Sequence, residues 1–172
     1  FAFCFVPLFL FEKGIPLYKI IFIVAAYAGI SIGIMSLIKV YYIRRTMILG
    51  LFFQAMLYFP FAWYTKYSIH LFIISASLSI SFFWVGLNYL YFKDLSRKTN
   101  AASSTIYILL PGIIGLFMPI LAILVIKKFG FSMTYWIGFA ANIFAILFTW
   151  NLLKEEKIEA KTSEGIKYFK GL

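Results

Sequence analysis

The chain alternates between long uncharged stretches and short polar gaps. Residues 20–38, 46–65, 67–92, 99–126 and 129–153 contain no Asp, Glu, Lys or Arg. A bilayer hydrocarbon core about 30 Å thick needs roughly 20 residues of helix at 1.5 Å each. All five stretches are near or above that length, which predicts membrane-crossing helices over 17–39, 46–64, 69–92, 103–127 and 131–153. The apolar piece 1–11 ahead of Glu12 is expected to be a first helix that has lost its N-terminal half. The fold class predicted is therefore all-α, a polytopic transmembrane bundle of six helices spanning 1–153. Residues 154–172 turn mixed in charge and read as a cytoplasmic linker rather than a seventh span.

Composition sharpens this picture. With 63% hydrophobic and 13% charged residues, the chain has too few polar groups to cover a soluble domain of its size. The net charge of +10 is scattered over loops with no recognisable reader motif, so a nucleic-acid partner is not expected. Membrane topology accounts for it better. Eleven Lys and Arg follow the second, fourth and sixth predicted helices, and five follow the first, third and fifth. Basic loops stay inside, so both ends are expected in the cytoplasm and the chain in the cell membrane as a multi-pass protein. Tyr41, Tyr42, Trp63, Tyr64, Tyr67 and Trp150 fit interfacial belts. The single cysteine, Cys4, lies in the apolar piece and supports neither an intrachain disulfide nor a metal cluster.

A shift of 88 residues lays Lys39-Val40-Tyr41 on Lys127-Lys128-Phe129, Thr46 on Thr134 and Gly50 on Gly138. A three-helix unit repeated once must insert its copies in opposite orientations, a 3+3 inverted repeat. Chance similarity between apolar helices is the competing explanation.

With six helices, cytoplasmic ends, an inverted repeat and a following linker, the chain resembles the N-terminal half of a major facilitator superfamily (MFS) transporter over all 172 residues. The family's signature between helices 2 and 3 is occupied here by Ser36-Leu37-Ile38-Lys39-Val40-Tyr41-Tyr42-Ile43-Arg44-Arg45. Only the closing Arg44-Arg45 fits; Ser36, Val40 and Ile43 stand where the family has Gly, Asp and Gly. Pro111-Gly112-Ile113-Ile114-Gly115 and Pro119 loosely match the Gly/Pro-rich fifth helix of the family's antiporters. The resemblance implies alternating-access transport of a small organic solute, with a second six-helix bundle as partner after residue 172 and helix 4 lining the cavity.

Helix 4 carries the candidate substrate pathway. Ser77, Ser81, Trp84, Asn88 and Tyr91 recur at spacings of 4, 3, 4 and 3, one face of an α-helix. Hydrocarbon offers polar groups no partners, so such a face should turn to the bundle interior or a water-filled path. Ser and Asn acting only as packing glue is the plainer alternative. Small residues in helix 2 (Ala26, Gly29, Gly33, Ser36), helix 5 (Gly112 and Gly115, with Pro119) and helix 6 (Gly138, Ala141, Ala145) are candidates for close packing or gating. Arg44 and Arg45 either latch a neighbouring helix end or serve only as the inside-positive signal. Gln54 and Asn142 read as bundle glue, His70 as an interfacial histidine and Asp94 as a solvated loop charge.

No Asp or Glu falls inside a predicted span, and no metal-ligand cluster, serine–histidine pair or phosphate loop is present. An enzyme is therefore not expected, nor a catalytic residue, a metal or a cofactor. The lipid bilayer is the one partner the composition demands. A non-transporting polytopic scaffold or assembly subunit is the rival to transport. A lipid-modifying enzyme would need titratable groups that these spans lack.

Overall fold

The computed structural model describes residues 6–38, 40–90 and 101–159, without the side chains of 101–116, 118, 158 and 159. It is mostly helical. We label the helices α1 (Val6–Glu12), α2 (Leu17–Leu37), α3 (Ile43–Ala62) and α4 (Ser68–Leu90). A long element, Ala101–Leu152, is interrupted at Gly130, which is left-handed at φ 79°, ψ 173°. We call its arms α5 (101–129) and α6 (131–152). Four helices are long and apolar enough to cross a membrane: Leu17–Leu37, Ile43–Ala62, Ser68–Leu90 and Pro119–Leu152. They mark the chain as a membrane protein. The expected spans 17–39, 46–64 and 69–92 differ from the observed α2, α3 and α4 by three residues or fewer at either end.

Local chemistry explains the boundaries. α1 ends in a Schellman cap: the Ile15 N–H donates to the Leu10 carbonyl (3.0 Å) and the Gly14 N–H to the Phe11 carbonyl (2.9 Å). This cap needs φ of +79° at Gly14, a conformation that side chains with a Cβ avoid. Pro16 then precedes the first turn of α2, where its missing N–H is no loss. The α3–α4 turn is pinned by Ser68, fully buried, which donates to the Pro60 carbonyl (2.8 Å) and accepts the Thr65 N–H (2.8 Å).

Chain direction alternates, giving the bundle two ends. At one, which we call the aromatic end, Phe9 of α1 meets Phe61, Tyr64, Phe131 and Tyr135 with ring centroids 5.4–5.6 Å apart. Leu57, Tyr58 and Phe72 complete this core, and Ser132 at the start of α6 donates to the Ala62 carbonyl (2.7 Å). At the other, the ribbon end, Val40–Tyr42 (β1) pairs antiparallel with Lys157–Glu159 (β2), Val40 opposite Glu159 and Tyr42 opposite Lys157. The sequence pattern assigned both segments to loop and linker, so this ribbon is an addition to the expected all-α fold.

Candidate functional site

α2 and α4 are joined by a ladder of hydroxyls. Ser31 of α2 and Ser77 and Ser81 of α4 are each 3% exposed or less, so their hydroxyls must find protein partners. Ser77 Oγ shares its proton between the carbonyls of Ile73 (2.7 Å) and Tyr27 across the interface (3.1 Å). Ser31 donates to Tyr27 (2.7 Å) and Ser77 (3.2 Å), and Ser81 to Ser77 (2.7 Å) and Ser31 (3.2 Å). Each serine thus back-bonds to the carbonyl four residues earlier on its own helix while reaching across to the other. Uncharged hydroxyls can do this where lipid excludes water.

The single face expected of helix 4 is broken in the structure. Ile80–Trp84 is a π-helical turn, which adds a residue to the turn and rotates everything beyond it relative to an unbroken α-helix. The Ile80 N–H is already shared between the Ala76 and Ser77 carbonyls as the turn begins. Ser77 and Ser81 therefore face α2, whereas Trp84 (51% exposed) and Asn88 are exposed. Tyr91 lies outside the described residues. The π turn coincides with the closest approach of α3. A Cβ added to Gly50 would run into the backbone nitrogen and Cα of Phe83, and one added to Gly86 would run into Met47.

Among the glycines with described surroundings, the close approach is therefore at Gly50 and Gly86, not at Gly29 and Gly33. Gly29 and Gly33 of α2 are exposed, with nothing within 4 Å of an added Cβ. Ser36 caps its own helix by donating to the Gly33 carbonyl (2.7 Å). The surroundings of Gly112 and Gly115 lie outside the described side chains, and Pro119 is exposed. In α6, Gly138 is buried, Ala141 exposed and Ala145 half-buried. Asn142 bonds its own helix at the Gly138 carbonyl (2.8 Å), as local glue would. Gln54 is half-buried and His70 exposed in the first turn of α4. Asp94 lies outside the described residues.

The ribbon end brings charges of both signs together. Arg45 Nε lies 3.1 Å and Arg44 Nε 3.8 Å from the same Glu155 carboxylate oxygen. Arg44 also sits over the Trp150 ring (5.1 Å) and Arg45 over Tyr42 (5.4 Å). Neither Glu155 oxygen has a hydrogen-bond partner among the described residues, so its charge is held by the guanidinium groups alone. Next to it, the Glu156 carbonyl accepts the Ile43 N–H (2.9 Å), and its carboxylate accepts the Tyr89 hydroxyl (3.2 Å). Tyr41 of β1 is buried, and burial pushes its phenol above the ordinary range. Arg44 and Arg45 thus contact the segment after α6.

Ser31, Tyr89, Glu155 and Glu156 were not among the residues picked from sequence. Ser31 had a signal, a hydroxyl in the middle of an uncharged helix. The others become visible only once the chain folds back across more than 60 residues. Set against known proteins, the chain matches no protein-family model, no curated protein and no solved structure.

Proposed function

We propose that this chain is the N-terminal half-bundle of a facilitator-type secondary transporter. It moves a small organic solute by alternating access against a second six-helix bundle. One observation carries the reading: α2 and α4 are tied together along one side by Ser31, Ser77 and Ser81, while other faces stay open. Gly29 and Gly33 meet nothing among the described residues, and Trp84 and Asn88 are exposed. An amide left open on a membrane helix calls for protein or a watered path rather than lipid tails. A second bundle closing over these faces supplies both. The π turn adds to this, since such turns cluster at functional sites.

In this reading the half-bundle has six spans as a 3+3 inverted repeat. Of the positions equated by the 88-residue shift, Thr46 with Thr134 and Gly50 with Gly138 are buried in both copies, whereas Tyr41 is buried and Phe129 exposed. The ribbon end, with Arg44, Arg45, Lys154 and Lys157, is the cytoplasmic side in this reading. The aromatic, uncharged surroundings suit a neutral or amphipathic solute.

The test uses cysteines placed singly in a Cys4→Ser background and probed in native membranes with a membrane-impermeant maleimide. Asn88→Cys and Trp84→Cys are expected to react from the aqueous phase. Phe144→Cys, on a strongly exposed apolar face of α6 (73%), is expected to stay unlabelled. If Asn88→Cys is as inert as Phe144→Cys, no watered path reaches α4, and the non-transporting scaffold becomes the better reading.

A further inference from the structure

Between α2 and α4 at the aromatic end lies a groove of about 510 Å³, outside the serine ladder. Tyr18, Lys19, Phe22 and Ala26 of α2 line one wall, at the spacing of a single helix face. Ile69 and Ile73, one turn apart on α4, line the other, and buried Ile23 forms the floor. The helical lining extends from Tyr18 to Ala26, about 12 Å along the helix axis at 1.5 Å per residue, with Ile15 of the preceding turn beyond it. Half of a hydrocarbon core of about 30 Å is close to the same length. The groove is therefore about one leaflet deep and mostly apolar, with the Tyr18 and Tyr64 phenols and a single charged residue, Lys19, at the end where headgroups lie.

Of the lysines at this end, Lys19 and Lys127 have no ion pair or ring contact among the described residues, and Lys19 is the one that lines the groove. Lys13, Lys66 and Lys128 lie over the rings of Phe9, Tyr67 and Phe129. Lys19 forms no ion pair and lies over no ring among the described residues. The described residues of this end hold five lysines (Lys13, Lys19, Lys66, Lys127, Lys128) against one carboxylate, Glu12. From this complementarity we infer that the groove is a binding site for one anionic phospholipid. An acyl chain lies along Phe22, Ile23 and Ile73. The phosphate meets the Lys19 ammonium, with the Tyr18 and Tyr64 phenols beside it as donors. The inference rests on the chain crossing a membrane, not on transport.

The experiment measures lipid binding to the purified protein in detergent by native mass spectrometry, comparing phosphatidylglycerol with phosphatidylcholine of equal chain length. One Lys at a membrane surface favours an anionic lipid by about fivefold. The expected result is one retained lipid with about that preference. Lys19→Gln is expected to erase the preference, while Lys19→Arg and Lys66→Gln keep it. Ile73→Trp, which fills the groove, is expected to lower retention of both lipids. Equal binding of the two lipids by the wild type overturns the inference. So does a preference that survives Lys19→Gln, or retention unchanged by Ile73→Trp, as when a protein segment occupies the groove instead. Displacement of the lipid by millimolar glycerol phosphate also overturns it, because the acyl chain would then contribute nothing.

Discussion

At the scale of single residues, Tyr135 and Phe9 share one aromatic core and have opposite prospects. Tyr135 is fully buried, its ring stacked on Tyr58 and packed against Phe9 and Phe61. Its hydroxyl has no hydrogen-bond partner among the described residues. A buried, unmatched hydroxyl lowers stability, whereas the ring around it raises it. Tyr135→Phe is expected to leave the melting temperature in detergent unchanged or raise it, by the equivalent of at most about 1 kcal/mol. Phe9→Ala removes the ring that touches four others and should lower stability by about 3 kcal/mol. Thermal unfolding of the two variants side by side checks both signs. Nothing in the sequence separated these rings from the rest, because 21 Phe and 12 Tyr are spread over every helix. Which of them converge is decided by how α1, α3 and α6 meet.

At the scale of elements, helix existence was legible and helix rotation was not. Charge-free length located α2, α3 and α4 within a few residues, because the bilayer sets a length and charges cannot enter it. The rotation of α4 was not legible because a constant 3.6-residue period does not hold through Ile80–Trp84, where the turn is π. Ser77 before that turn and Ser81 within it face α2, whereas Trp84 at its end and Asn88 beyond it are exposed. Gly50 is the reason α3 can sit so close at this turn. Gly50→Ala is expected to destabilise by about 1–3 kcal/mol, because the added Cβ meets Phe83 backbone that cannot swing aside as a side chain would. Gly29→Ala, with open space around it, should be neutral in the same unfolding measurement. Ser77→Ala removes hydrogen bonds that average about 0.6 kcal/mol between membrane helices. Its effect should be smaller than that of Gly50→Ala, so the α2–α4 contact is tuned by its hydroxyls while the α3–α4 contact depends on having no side chain.

At the scale of the whole molecule, the ribbon end joins segments more than 100 residues apart: Val40–Tyr42 with Lys157–Glu159, and Arg44 and Arg45 with Glu155. The linker expected from composition is thus anchored where it leaves α6. The polar, Lys- and Glu-rich composition of 154–172 pointed away from a seventh span. It gave no warning that its first residues fold back, since strand pairing of three residues leaves almost no periodic trace. Opposite charges on the two segments were the available signal. Arg45 is 70% exposed and Glu155 24% exposed at the side chain, so their attraction is partly screened, and about 1 kcal/mol is an upper bound for the pair. Arg45→Glu places two carboxylates together and should release the strap, speeding cleavage within 153–159 by limited proteolysis about fivefold. Glu155→Arg, with three guanidinium groups crowded near Trp150, should do the same. The double exchange restores attraction between the pair, so its cleavage rate should return towards that of the wild type. If both single variants are cleaved at the wild-type rate, backbone pairing and the Ile43–Glu156 bond suffice to hold the strap. If the singles are fast but the exchange does not recover, Arg44 rather than Arg45 is the cation that holds Glu155.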